Sequence, residues 1–84
     1  MIDEKEILEK LNEWKKDTEE EINELKAKAK VIKDELDQIN SIKDNKKYNE
    51  LVKELNKPLF RVEMLNRRLI GLNELIELEN SLNL

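Results

Sequence analysis

Apolar residues recur at steps of three and four along the first forty positions, with no Gly or Pro among them. Leu11, Thr18, Leu25, Ile32 and Ile39 stand seven apart. Leu8, Lys15, Ile22, Ala29 and Leu36 form the interleaved set, with Trp14 expected to cover for Lys15 and to sit opposite Leu72. A seven-residue repeat is the seam by which a helix buries one narrow face against another, as in a coiled coil. Asp3 suits the N-cap, with Glu6 three residues later, so the first helix is expected over residues 3–40.

Asn40 to Lys47 breaks the pattern. Its Asn, Ser and Asp side chains bond readily to nearby backbone, which predicts a turn over 41–46 with Ile42 packed beneath it. A second stripe follows in Tyr48, Leu51, Val52, Leu55, Leu59, Val62, Leu65, Leu69, Leu72 and Ile76, predicting a helix over 47–82. Folding the chain about residues 43–44 keeps the two stripes in phase. Ile32 then meets Leu55, Leu25 meets Val62 and Thr18 meets Leu69.

The expected fold is therefore all-α: one domain, 1–84, built as an antiparallel two-helix hairpin. Pro58 removes a helical hydrogen bond and crowds the preceding turn. A kink is expected there, opposite Ala27 and Ala29, in preference to a break near residues 55–58. Gly71 costs about 1 kcal/mol relative to Ala inside a helix. It suits a crowded crossing, or else ends the helix and releases a third piece, giving a three-helix bundle.

From residue 60 the second helix carries a further apolar stripe, Phe60, Met64, Gly71, Leu75, Leu78 and Leu82, on nearly the opposite side from its seam, with Arg67 and Arg68 in the gap. The first helix has no matching second face. A two-helix hairpin leaves this stripe in water, and such a patch marks an interface. These eight residues are the expected interface, with a homodimer making a four-helix assembly, ahead of a three-helix bundle or a different protein partner.

Charge adds a second candidate surface. Residues 1–25 hold ten acids and four bases, residues 26–68 seven acids and twelve bases, and residues 69–84 three acids and no base. A hairpin so charged has an acidic open end and a basic bend. Lys43, Lys46 and Lys47 at the bend are the expected contact for an acidic partner, although solvated faces also carry such charge.

Composition excludes more than it assigns. The 84 residues are 43% charged and 4% aromatic, so the core is thin and aliphatic. There is no Cys and no His, which removes disulfides, thiolate sites and the commonest general base and zinc ligand. One Gly and one Pro leave no phosphate-cradling loop. The first helix has no arginine with which a small helical enzyme could hold a dicarboxylate. No catalytic residue, cofactor, metal or small-molecule substrate is expected, and the chain is not expected to be an enzyme. Net charge of −4 and scarce aromatics disfavour nucleic acid. No signal-like or membrane-spanning run is read, so a cytoplasmic protein is expected. Thirteen lysines against three arginines, with frequent Asn and Ile, suggest an AT-rich source such as a mobile element or phage. The resulting expectation is a helical protein–protein interaction module: a scaffold, adaptor or inhibitor-type regulator.

Overall fold

A computed structural model describes residues 4–82. It has two helices, α1 over Glu4–Gln38 and α2 over Asn45–Leu82. They pack against each other as a hairpin measuring 63 × 19 × 15 Å. Asp3, the expected cap of α1, lies outside the described residues.

The reversal is built around Asn40. Its Oδ1 accepts from the backbone N–H of Ile42 at 2.9 Å and of Lys43 at 3.2 Å, while its carbonyl accepts from Asp44 N–H at 2.9 Å. These bonds close the turn ahead of α2 by pairing its backbone donors with one asparagine. Asp44 then accepts the Tyr48 N–H at 2.9 Å, and α2 proceeds. Ile42 is not a plug under this turn. It is 87% exposed, because backbone and carboxamide bonds hold the turn without apolar burial.

The core lies along the in-phase seams. Ile22, Val62 and Leu65 form its buried cluster, with Leu25 and Leu69 packed against it. Leu11, Ala29, Leu51 and Leu72 are buried above and below. Thr18 is the buried polar residue of this seam, and its Oγ1 donates to the Trp14 carbonyl at 2.7 Å. That bond to the preceding turn satisfies the hydroxyl inside the helix itself.

Four local expectations are corrected. Trp14 is 54% exposed: it lies beside Asp17, Glu21, Arg68 and Leu72 on the flank, since a seam this narrow admits aliphatic side chains more readily than an indole. Half-buried Lys15 occupies its own seam position, where a lysine stem covers apolar surface with the ammonium in water. Of the two alanines expected opposite Pro58, Ala27 is exposed, whereas Ala29 is buried and shares a surface with Leu55 and Leu59 on either side of the proline. Gly71 is at no crowded crossing: a Cβ built there meets nothing within 4 Å. No third helix forms among the described residues, because α2 runs unbroken through both Pro58 and Gly71.

An ion pair between Arg61 and Glu21 links the two helices. Arg61 donates through Nε and Nη2 to Glu21 Oε1, both at 3.4 Å, with both side chains 44% exposed. Long contacts in open solvent are worth little after screening and side-chain entropy. Arg61→Ala should therefore change the free energy of unfolding by less than about 1 kcal/mol in a denaturant titration.

Candidate interaction surface

The outer face of α2 follows from helical periodicity. Residues 60, 64, 71, 75, 78 and 82 are separated by three, four or seven positions, so they fall on one line. The buried positions 51, 62, 65 and 72 of the same helix face α1. Phe60 is 66% exposed, Met64 49%, Leu75 50%, Leu78 55% and Leu82 68%. Gly71 is half-buried, and Arg67 and Arg68 are exposed beside the line. Arg67 donates through Nη2 to Glu63 Oε1 at 3.0 Å, one helical turn earlier. Apart from the gap between Met64 and Gly71, which Arg67 and Arg68 flank, the line is apolar, and its large side chains are about half or more exposed.

Ile70 is 60% exposed on the flank of this line, where sequence reasoning had placed no contact. Its signal was present: it lies six residues from both Met64 and Ile76, between the two stripes. Leu59, expected in the seam, is 46% exposed. It belongs to a groove floored by Ala29, Leu36, Tyr48 and Leu55 and edged by Lys26, Lys30 and Lys33. At 100° per residue Leu59 stands about 120° around α2 from Leu65, which puts it on the flank of the seam.

At the bend, Lys43, Lys46 and Lys47 are exposed and share the surface with Asp44, Asn45 and Glu50. The two carboxylates reduce the positive charge there. Among the described residues no cluster of acidic side chains is placed to hold a metal ion, and no helix is long and apolar enough to cross a membrane.

No family model, curated protein or solved structure matches this chain.

Proposed function

We propose that this chain is a helical protein–protein interaction module that self-associates through the outer face of α2. The observation that carries the reading is the exposure of Phe60, Met64, Leu75, Leu78 and Leu82 along one side of a helix whose other side is already buried. Covering the part of each such side chain still in water is worth roughly 0.7–2 kcal/mol. A second copy supplies the same apolar line at the same concentration, and symmetric pairs dominate protein assemblies. Two hairpins meeting this way form four helices with α2 of each inside. A bend at Pro58 belongs to the same reading, since it falls where α2 passes from its lysine-bearing half to its apolar half.

Sedimentation should give a dimer at micromolar concentration. A chain that stays monomeric at high micromolar concentration overturns self-association and moves the face to a different protein partner.

The exposed lysines at the bend support a second reading, contact with an acidic partner. Reversing Lys43, Lys46 and Lys47 to Glu should leave the oligomer intact, because apolar burial dominates assembly and surface charge is screened within about 8–10 Å at physiological salt. Collapse of the oligomer under that reversal would instead mean that each basic bend lies against the acidic end of the other copy.

A further inference from the structure

We infer that the second copy packs antiparallel on α2 with the two-fold axis at Gly71. The inference rests on the self-association proposed above and specifies its register.

The spacing of the outer line carries it. Reflected about 71, five of the positions 60, 64, 71, 75, 78 and 82 map onto the set, Phe60 onto Leu82, Met64 onto Leu78 and Gly71 onto itself, while Leu75 maps onto Arg67. In an antiparallel two-fold pair, residues equally far before and after the axis lie level with each other. Every apolar side chain of the line then meets a partner of the line except Leu75, which meets the methylene stem of Arg67. An isologous interface needs this self-complementarity. Phe60 to Leu82 gives an overlap of about 33 Å at 1.5 Å per residue.

Charge agrees with the same axis. Arg67 and Glu74 stand seven residues apart and so share a flank of α2. The two-fold axis places that flank beside the same flank of the other copy. Arg67 lies four residues before Gly71 and Glu74 three after it, so each arginine comes within one residue of level with the other copy's Glu74. Arg67 is 78% exposed in its bond to Glu63, which leaves its guanidinium accessible from outside the hairpin.

Gly71 supplies a third, independent argument. A glycine inside a helix is unfavourable, and nothing within its own chain needs it, since a Cβ there meets open space. At the axis it faces its own copy, where a missing Cβ lets two backbones approach closely. The competing register, with α2 overlapping along its whole length, centres near Met64. It sets Leu75 against Lys53 and Gly71 against Lys57, and places no glycine at the crossing.

The chain has no cysteine, so a label introduced at one site reports that site alone. With the axis at Gly71, spin labels on Asn56→Cys lie about 45 Å apart between copies along the helix direction; with the axis near Met64 they lie about 24 Å apart. The longer distance is expected. The shorter one in a dimeric sample overturns the register and leaves self-association standing, whereas a monomer with no intermolecular distance overturns both. Gly71→Leu adds apolar surface to the line, yet should raise the dissociation constant at least tenfold while the hairpin stays helical. Unchanged or tighter association of that variant overturns the axis at Gly71.

Discussion

Replacing Leu65 with alanine should abolish most of the hairpin's stability. Leu65 is 1% exposed and lies in the cluster with Ile22 and Val62, where Leu25 and Leu69 also pack. Leu→Ala changes at such sites cost about 2–5 kcal/mol, the upper part where the surroundings cannot collapse into the cavity. Whole domains have only about 5–15 kcal/mol, and a chain this short with one thin seam belongs at the low end. At about 4–8 °C per kcal/mol for a domain of this size, the thermal midpoint should fall by more than about 10 °C. Helicity followed by circular dichroism against temperature measures it, at one fixed concentration because association raises apparent stability. Leu78→Ala is the control for buried against exposed leucine within a chain, and under monomeric conditions it should cost less than about 0.5 kcal/mol. Equal losses in the two variants would contradict a core confined to the α1–α2 seam.

The second large effect is on assembly. Leu75→Glu with Leu78→Glu should convert the proposed dimer to monomer while leaving most helicity in place. Both leucines are about half exposed in the hairpin, so the fold loses little when they change. In a dimer the pair occurs twice, and covering the half of each side chain still in water is worth roughly 0.7–1.5 kcal/mol. Carboxylates placed in the same contact would also have to be desolvated. A rise of at least about 100-fold in the dissociation constant, or about 2.7 kcal/mol, is expected by sedimentation across a concentration series. An unchanged dimer would place the interface elsewhere, with the lysine-edged groove around Leu55 and Leu59 as the next surface to alter.

The hairpin was legible in the letters because its cause is periodic. Thr18, Ile22 and Leu25 on one helix and Val62, Leu65 and Leu69 on the other stay in phase only if the chain reverses between them, and the Asn40–Asp44 segment offers the bonds that a reversal needs. The outer line of α2 was legible for the same reason: three-and-four steps define a face whether or not anything covers it. Trp14, Ile42, Leu59 and Gly71 were not legible. Each carries a letter that periodicity assigns to the inside or to a crowded place, and each depends on what stands across from it.

Sequence alone determined that this chain makes two long helices, most of the residues of their facing seams, and that α2 has a second apolar side. Those properties follow from local bonding and from the 3.6-residue period, and both are properties of the chain order itself. Tertiary structure decided the rest. It showed that α2 passes unbroken through Pro58 and Gly71, that Leu59 lines an open groove with Ala29 and Leu55, and that Trp14 stays on the flank. The physical reason is that burial is a relation between two surfaces: the narrow contact of two helices covers about one face of each, and only their actual packing selects which large side chains fit into it.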